Sequence, residues 1–316
     1  MREGLSAPFV KLWRMLRPRL LPSFLAAGSV FWIALWAVGC SQIGRDADGD
    51  GVSNRADQCL HTPVGREVDA RGCSDIAQAL ARGIDALLAE RSYAVGDIWL
   101  VQQLIQLQPH GGLERLVEWW KGELAPSPFL RHIDPDAPHA LLPPDPGRGT
   151  LRFYHYVLAP YGRPESRALE FLGDFVGRNE TDYVLTHQFL VLVWAEEEGL
   201  PLLEAMLTIR SELLERIADE HAADTQFSDL FAERSALLLQ FAEPAPGAAS
   251  TWVDTLLAAQ LPHGGWEDSI HSTLEFDGQR TSAVHTPAHT TALAQLALAA
   301  FLQRYASNAP VPGSRR

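Results

Sequence analysis

Apolar residues recur three and four positions apart over most of the chain beyond residue 74, which is the spacing of one face of an α-helix. Strict alternation of apolar and polar residues, which would indicate strands, is scarce. Nine segments follow the helical spacing: 74–93, 95–108, 112–124, 165–177, 182–199, 200–220, 225–243, 250–260 and 289–306. Ser74 is suited to cap the first of them. We therefore predict an all-α domain over residues 76–308, built from helical hairpins joined by short turns.

A proline-rich segment interrupts this pattern. Seven prolines fall between residues 125 and 149. Proline lacks a backbone N–H and clashes with the preceding turn of a helix, so no regular helix is expected there. We predict an extended connector that wraps the surface of the domain. Residues 309–316 are expected to form a disordered tail.

The N-terminal segment is first basic and then apolar. Five basic residues and one acid precede residue 20, and no charged residue occurs from 20 through 42. A basic flank, an apolar run and small residues before a cleavage point are typical of a secretory signal, which we assign to residues 1–40. The run 20–39 also approaches the roughly 20 residues that a membrane-spanning helix needs, so an uncleaved anchor is the alternative.

The end of this run, Ala37-Val38-Gly39-Cys40, resembles a lipobox, although Leu is usual at the position of Ala37. The resemblance implies that Cys40 is lipidated and becomes the first residue of the mature protein. Ser41 follows it, where an Asp would resemble an inner-membrane retention signal. The expectation is therefore an outer-membrane lipoprotein of the cell envelope that faces the periplasm. With either a lipid or an anchor helix, the body of the protein lies outside the cytoplasm and is tethered to a membrane.

The stretch from Asp46 to Asp57 has the spacing of a calcium-binding loop. Counted from Asp46, an oxygen-bearing side chain or the turn glycine falls at positions 1, 3, 5, 6, 9 and 12, and a backbone carbonyl serves position 7. The predicted ligands are Asp46, Asp48, Asp50, the carbonyl of Val52, Asn54 and Asp57, with Gly51 at the turn. Carboxylates this close together repel one another unless a cation lies between them, so we predict a Ca²⁺ site.

The pattern DxDxDGxxNxxDxC at 46–59, followed by TPxGxxVDxxGC at 62–73, resembles a thrombospondin type 3 repeat of the bacterial kind that often precedes OmpA-like domains. The resemblance implies the same calcium ligands and a disulfide between Cys59 and Cys73. Both would lie in a small irregular module, which we place at 41–75. Leu60 departs from the family, which usually has Pro at that position. A disulfide requires an oxidising compartment, and the predicted export signal would deliver the protein to one.

The charge balance argues against nucleic acid as a partner. The chain has 26 basic and 39 acidic side chains, of which five and one, respectively, fall in residues 1–40. The remaining body therefore has a formal charge of −17 and repels phosphates and anionic lipid headgroups. The expected partners are the membrane, through the N-terminal lipid or anchor, and another protein of the envelope.

Two turns in the helical part are alike. Residues 108–113 read QPHGGL, and residues 260–266 read QLPHGGW. With the helix that follows, the second turn resembles the QxxxGGW turn of terpene-cyclase and prenyltransferase repeats. This resemblance implies an α/α toroid, in which helical hairpins close around a central cavity, Gln260 caps a helix end and Trp266 packs behind it. The DxDD acid motif of the cyclases is absent, and the implied disulfide leaves no cysteine for zinc chemistry of the prenyltransferase type.

The candidate catalytic residues are histidines. His285 and His289 are spaced like two zinc ligands on one helix face. However, Pro287 belongs in the first turn of a helix, so His285 would lie before that helix, and both histidines would then be capping or loop residues. His187 and Tyr183 are four positions apart, share a helix face and could pair. The other interpretation of this pair is a satisfied polar spot in a helical core.

No GxSxG motif, phosphate-binding glycine loop or free nucleophilic cysteine occurs in the sequence. The favoured prediction is an exported, lipid-anchored calcium-binding protein whose helical domain is an interaction or scaffold domain. The alternative is a cell-envelope enzyme whose active site lies in a toroid-like helical domain. A polar pocket joining His187, Trp266, His285 and His289 would favour the enzyme. Scattered positions in a solid core would favour the scaffold.

Overall fold

The computed structural model describes residues 46, 51–53, 55–57, 62, 66–90, 93, 97–123, 128–134, 136–138, 148–162, 165–267, 273–282 and 286–306. Several sequence predictions fall outside these residues: the signal and lipobox at 1–40 with Cys40, the ligands Asp48, Asp50 and Asn54, Cys59, His285, and the tail at 309–316. These remain predictions.

Eleven α-helices make up most of the described part of the chain. Their bounds are α1 Asp75–Ala89, α2 Asp97–Leu107, α3 Gly111–Glu123, α4 Thr150–Val157, α5 Ala159–Gly162, α6 Glu165–Val176, α7 Asp182–Glu197, α8 Glu204–Ala223, α9 Asp229–Phe241, α10 Pro246–Ala259 and α11 Pro287–Ala306. Each of the nine predicted segments overlaps one of these helices, so the all-α prediction is confirmed for the described residues. None of these helices is both long and apolar enough to cross a membrane.

The proline-rich segment differs from its prediction. Residues Pro128–His132 form a 3-10 helix, whose one proline, Pro128, is its first residue. Leu130, Ile133 and Ala137 are buried in the core. The described part of this segment therefore packs into the domain instead of running extended over its surface.

The sequence pattern also does not predict α4, α5 or a β-hairpin. The hairpin consists of β1, Thr273–Phe276, and β2, Gln279–Ser282, in an antiparallel pair. Asp277 and Gly278 join the strands with φ angles of 51° and 70°, as a type I′ turn requires and as an Asp-Gly pair favours. Strands of four residues are too short to produce a recognisable alternation.

Some helices are buried on all sides, whereas their neighbours along the chain are buried on one face. The helix α7 buries twelve of its 16 residues and α9 buries ten of 13, but α8 between them buries four of 20. A helix that is apolar around its whole circumference belongs in a core, and an amphipathic helix covers it. We call α2, α7, α9 and α11 the inner helices and α1, α3, α6, α8 and α10 the outer helices. Outer and inner helices alternate from α1 to α3 and again from α6 to α11, which is the order expected of helical hairpins, and α4 and α5 interrupt the alternation.

The two PHGG turns both pack against α1. A Cβ on Gly264, whose φ is +94°, would lie 2.3 Å from the carbonyl oxygen of Arg82, and a Cβ on Gly112 would lie 2.5 Å from a side chain of α1. Glycine is therefore required at Gly264, where the neighbour is backbone and φ is positive, whereas the neighbour of Gly112 is the end of the Leu88 side chain. Gln260 Nε2 donates to the carbonyl oxygens of Ala79 and Gly264, both at 2.8 Å. This glutamine thus fastens the second turn to α1.

Candidate functional site

The N-terminal ends of the four inner helices hold a group of ionisable and hydroxyl side chains, which we call the carboxylate–histidine cluster. It consists of Asp97 on α2, Tyr183 and His187 on α7, Asp229 and Glu233 on α9, and Thr286, His289 and Thr290 at the start of α11. The three carboxylate side chains are at most 3% exposed, whereas His187 and His289 are 24% and 21% exposed. The imidazoles therefore face the solvent side of the cluster, and the carboxylates lie behind them.

His289 lies between two carboxylates. Its Nδ1 is 2.8 Å from Oδ1 of Asp97, and its Nε2 is 3.7 Å from Oδ2 of Asp229. Burial by itself would lower the pKa of His289. The charge of Asp229, the hydrogen bond and charge of Asp97 and the charge of Glu233 outweigh burial and raise the pKa to about 10. The ring is therefore an imidazolium at neutral pH, with a proton on each nitrogen.

Hydroxyl groups fix the orientation of the buried aspartates. Tyr183 donates to Oδ2 of Asp229 at 2.8 Å, and Thr290 donates to Oδ1 of the same residue at 2.5 Å. Thr286 donates to Oδ2 of Asp97 at 3.4 Å. Both aspartates are the first residues of their helices, where the positive end of the helix dipole stabilises a carboxylate. The oxygens that face His289 are therefore held in place from several elements.

His187 is the neutral imidazole of the cluster. Its Nδ1 lies 2.8 Å from the backbone carbonyl oxygen of Tyr183. Because a carbonyl oxygen only accepts, Nδ1 is assigned the proton and Nε2 the lone pair. Burial lowers the pKa of His187 to about 4, the bond to Tyr183 opposes this, and the charge of His289 lowers the pKa further. The ring edge packs against Phe153 at a centroid distance of 5.2 Å.

The cluster thus combines a cationic proton donor and a neutral proton acceptor. Surroundings that drive the pKa values of two neighbouring groups apart are typical of acid–base sites. The arrangement is chemically able to accept a proton at Nε2 of His187 and to donate one from His289. Within the part of the chain that the structure describes, no three His, Cys, Asp or Glu side chains form a group that could hold a metal ion.

Two of the four predicted pocket residues, His187 and His289, belong to this cluster. Trp266 does not belong to it, and its side chain is fully buried in another part of the core. Its Nε1 donates to the carbonyl oxygen of Leu256 at 2.8 Å, and its backbone N–H donates to Oγ1 of Thr291 at 3.0 Å. Trp266 therefore fixes the second PHGG turn to α10 and α11.

The proposed pair of zinc ligands, His285 and His289, is described only at His289. Pro287 is the first residue of α11, where the sequence places it. Thr286 accepts the N–H of His289 with its hydroxyl at 3.1 Å and so caps the helix. His289 is thus on the helix and directed at Asp97, while His285 lies outside the described residues and its role remains a prediction.

Sequence reasoning missed the three carboxylates. Asp97 directly precedes an apolar run, and Asp229 follows Ser228, whose hydroxyl accepts the N–H of Phe231 as an N-cap. Asp229 and Glu233 are four apart and share a helix face. An acid in the first turn of a helix is common on exposed helices as well. The signal that distinguishes Asp97 and Asp229 is that each is the first residue of a helix that buries most of its residues, and Glu233 lies one turn further along the second of these helices.

A second arrangement has the residue types of a Ser–His–Asp triad. Ser235 Oγ lies 3.0 Å from Nε2 of His221, and Nδ1 of His221 lies 3.7 Å from Oδ2 of Asp224. Ser235 is 0% exposed and His221 1%. A nucleophile must reach its substrate, so we interpret this contact as packing between α8 and α9 and not as a catalytic site.

The calcium loop is described at three of its six predicted ligands. Oδ2 of Asp46 accepts the N–H of Gly51 at 2.8 Å, and Gly51 has a φ of 92°. This bond folds the carboxylate of position 1 back onto the glycine of position 6. The N–H groups of Ala56 and Asp57 donate to the carbonyl oxygen of Ser53, so the end of the loop is a turn that leaves Asp57 9% exposed.

The chain after the loop is fixed by several local contacts. Cys73 is disulfide-bonded, and Cys59, its predicted partner, lies outside the described residues. The hydroxyl of Thr62 donates to the carbonyl oxygen of Gly72 at 2.7 Å. Val68 pairs with Ser74 in an antiparallel bridge, and the Ser74 hydroxyl accepts an N–H in the first turn of α1. The segment is therefore continuous with the first helix of the domain.

Arg66 joins this segment to the helical domain. Its guanidinium lies 2.7 Å from Oδ1 of Asp254 on α10 and 3.4 Å from Oδ2 of Asp75 on α1. The same group lies 5.9 Å from the ring centroid of Phe301 on α11. The Arg66 side chain is 16% exposed, so these contacts are partly shielded from water. The segment around Arg66 is thus packed on the domain.

A comparison of the chain with protein-family models, curated proteins and solved structures finds no match in any of the three. The class of protein is therefore defined by its own features: a helical domain with a buried carboxylate–histidine cluster, joined to a small disulfide-bonded segment.

Proposed function

We propose that this chain is an exported, lipid-anchored calcium-binding protein in which a thrombospondin type 3-like module carries a helical interaction domain. The main supporting observation is the bond between the Asp46 carboxylate and the N–H of Gly51, at positions 1 and 6 of the loop. The disulfide at Cys73 supports export to an oxidising compartment. Lipidation at Cys40 attaches the mature chain to the outer membrane, where the domain binds a partner in the envelope.

Calcium has a structural role in this proposal. The four carboxylates of the loop repel one another, and a divalent cation between them removes that repulsion. A module of roughly 35 residues is too small to be stabilised by a hydrophobic core, so the ion and the disulfide take that place. Through Arg66, the ordered module then holds a fixed orientation on α1, α10 and α11. The domain is thereby presented at a defined distance from the membrane.

Isothermal titration calorimetry on residues 41–316, the body of the protein without the lipid-bearing Cys40, tests calcium binding. After EDTA treatment we expect saturable heat with a Kd on the order of 10⁻⁴ to 10⁻³ M, as in extracellular calcium modules. Asp46→Asn should weaken binding at least about tenfold, which is 1.4 kcal/mol. Asp219→Asn, at an exposed site on α8, is the control and should leave binding unchanged. Absence of calcium-dependent heat at millimolar concentration would refute the proposal.

A substitution at Cys40 tests the mode of attachment. Lipidation requires the thiol, so Cys40→Ser should release the protein from the membrane fraction or leave an unprocessed precursor. An uncleaved anchor helix at 20–39 would keep the substituted protein of unchanged mass in the membrane. Cell fractionation combined with intact-mass spectrometry separates these outcomes.

The carboxylate–histidine cluster supports a second candidate function, an envelope enzyme that uses acid–base chemistry. The alternation of outer and inner helices from α6 to α11 supports the toroid-like architecture that this alternative assumes. In this candidate, Nε2 of His187 accepts a proton from water or a substrate hydroxyl, and His289, held by Asp97, donates one. Among the described groups, the cluster has three carboxylates and one imidazolium, so its net charge is negative. This charge favours a neutral or cationic substrate over an anionic one.

A panel of neutral glycosides, esters and envelope peptides, with product detection by mass spectrometry, tests this candidate. His187→Gln should lower the rate about 10²- to 10⁴-fold, the usual contribution of a general base, while the protein remains folded. Glu212→Gln, at an exposed position on α8 outside the cluster, is the control. An activity that His187→Gln leaves unchanged would exclude the cluster as its site.

A further inference from the structure

A cleft separate from the carboxylate–histidine cluster lies between three elements. It is bounded by residues 85–90 at the C-terminal end of α1, by His263 and Gly265 of the second PHGG turn, and by Pro287, Ala288 and Thr291 of α11. Its volume is about 400 Å³, within the range of small-molecule sites. The lining residues of α11 lie on the face opposite to that of the cluster residues of the same turn. The cleft is therefore a distinct feature of the domain.

The charge along this cleft is negative. Asp85 and Glu90 line it, and the last turn of α1 contains no basic residue. The C-terminal end of a helix carries partial negative charge, which attracts cations. The one basic residue of α1 is Arg82, whose guanidinium is hydrogen-bonded to Gln260. The described lining thus favours a positively charged ligand.

The N-terminal end of α11, which carries partial positive charge, also borders the cleft. Pro287 has no N–H, and the N–H of His289 is already bonded to the Thr286 hydroxyl. Two of the donors that would make this helix end attractive to an anion are therefore removed. The last carbonyl oxygens of α1, those of Ala86 and Leu87, also already accept hydrogen bonds. The side chains of Asp85 and Glu90 consequently determine the preferred charge of the ligand.

The remaining lining is apolar and small. Ala86, Ala89 and Pro287 contribute small apolar side chains to the lining, and Leu87 and Ala288 are buried behind them. A Cβ on Gly265 would lie 2.8 Å from Nε2 of His263, so this glycine leaves room for the imidazole that forms one wall. An apolar surface with acidic groups at one end matches an organic cation with a short hydrocarbon chain.

We propose that this cleft binds organic ammonium groups, with Asp85 as the main charge partner and the alanine-lined wall as the contact for the hydrocarbon chain. The proposal goes beyond calcium binding and does not depend on it. The proposed ligand class is the alkyl primary amines. A free amine belongs to this class, and the basic side chain of a partner protein carries the same group. Calcium-saturated protein is used throughout the test so that the module is in one state.

Calorimetric titration with pentylamine, with 1-pentanol as the neutral analogue of equal chain length, tests the proposal. We expect saturable binding of pentylamine at concentrations up to about 10 mM, where a weak Kd near 1 mM is measurable, and at least tenfold weaker binding of pentanol. Asp85→Asn should weaken amine binding at least about fivefold. Ala89→Phe, which fills the cleft without changing its charge, should abolish it. Glu215→Gln, at an exposed site on α8, should have no effect.

Three results would overturn the proposal. Equal binding of pentanol would mean that the cleft is a site for apolar groups without charge selection. Amine binding that persists in both Asp85→Asn and Ala89→Phe would place the site elsewhere on this acidic protein. Absence of amine binding to the calcium-saturated, folded wild-type chain would exclude the site, and it would leave the calcium proposal untouched because calcium heat is measured separately.

Discussion

His289, which is half-buried, and His221, which is buried, are two imidazoles that each face an aspartate, yet one is charged and the other is neutral. The pKa of His289 is raised to about 10, and burial lowers the pKa of His221 to about 4. Nδ1 of His289 lies 2.8 Å from Asp97, whereas Nδ1 of His221 lies 3.7 Å from Asp224. Burial alone therefore does not determine the protonation state of a core histidine in this domain.

The difference arises from the number of carboxylates around each ring and from what the aspartate contacts. The carboxylates of Asp229, Asp97 and Glu233 raise the pKa of His289, whereas Asp224 alone raises that of His221. Asp97 is 0% exposed and receives the full benefit of pairing with an imidazolium. Asp224 is 31% exposed and lies 2.6 Å from the guanidinium of Arg234. The charge of Arg234 also lowers the pKa of His221 directly. The pairing of Asp224 with Arg234 thus weakens its effect on the pKa of His221, and that ring stays neutral. Asp97 is buried against His289 and helps to raise the pKa of that ring.

The largest expected effect is the difference in unfolding free energy between a variant of Asp97 and a variant of Asp224. Asp97→Ala removes one partner of a buried ion pair and should lower the free energy of unfolding by about 3–5 kcal/mol. Asp224→Ala removes a partly exposed partner and should cost about 1 kcal/mol or less, because Arg234 also lies against Asp182 and Glu220. Urea denaturation of both variants measures the difference. Equal losses would contradict the distinction between the two sites.

The pH dependence of stability gives the next largest effect. The pKa of His221 is lower in the folded than in the unfolded chain, so the unfolded chain binds more protons between pH 6.5 and about 4. Stability is therefore full above pH 6.5 and falls on acidification by about 1.4 kcal/mol per pH unit for each such histidine. His132 and His187, whose pKa values burial lowers to about 3 and about 4, act in the same direction.

His289 has the opposite dependence. Because its pKa is raised, its contribution is fully present below pH 6.5 and is lost as the pH rises toward about 10. Unfolding free energies measured at several pH values should therefore decline on both sides of neutrality. His221→Gln should flatten only the acid side, and a flattened alkaline side in that variant would contradict the assignment.

A smaller effect is expected at the hydroxyl that orients Asp229. Thr290→Val keeps the shape of the side chain but removes its hydrogen bond to a buried carboxylate. Bonds to charged groups contribute about 1.5–3 kcal/mol, and this is the loss we expect in urea denaturation. Thr208→Val, at an exposed position on α8, is the control and should change stability by less than about 0.5 kcal/mol. A loss at Thr290 no larger than at Thr208 would mean that Asp229 does not depend on this bond.

The sequence predicts the helices well because helical periodicity is a local property. The segments of α1 and α7 are recognised from apolar spacing alone, and Ser74 is the N-cap of α1 as its position indicates. The hairpin at 273–282 is missed because its two strands are short. The connector at 128–137 is misplaced because proline excludes a regular helix but does not determine burial.

The candidate site is predicted only in part because its partners come from distant segments. His187 and His289 stand out as histidines in apolar segments, and the structure places both in one cluster. Asp97 and His289 are separated by 192 positions, and only the packing of the inner helices brings them together. The calcium loop is the reverse case, since all of its predicted ligands lie within twelve consecutive residues and a local pattern is enough to propose it.

The smallest effect tests whether the Ser–His–Asp arrangement is only a packing contact. Ser235→Ala removes one hydrogen bond between neutral groups and should lower the free energy of unfolding by about 1 kcal/mol. Ser211→Ala, at an exposed site on α8, should change stability by less than about 0.5 kcal/mol. Because Ser235 and His221 are inaccessible, any activity that requires His187 should be retained in Ser235→Ala. Loss of that activity without loss of stability would show that Ser235 reaches a substrate, and the difference drawn between the two histidine sites would then be wrong.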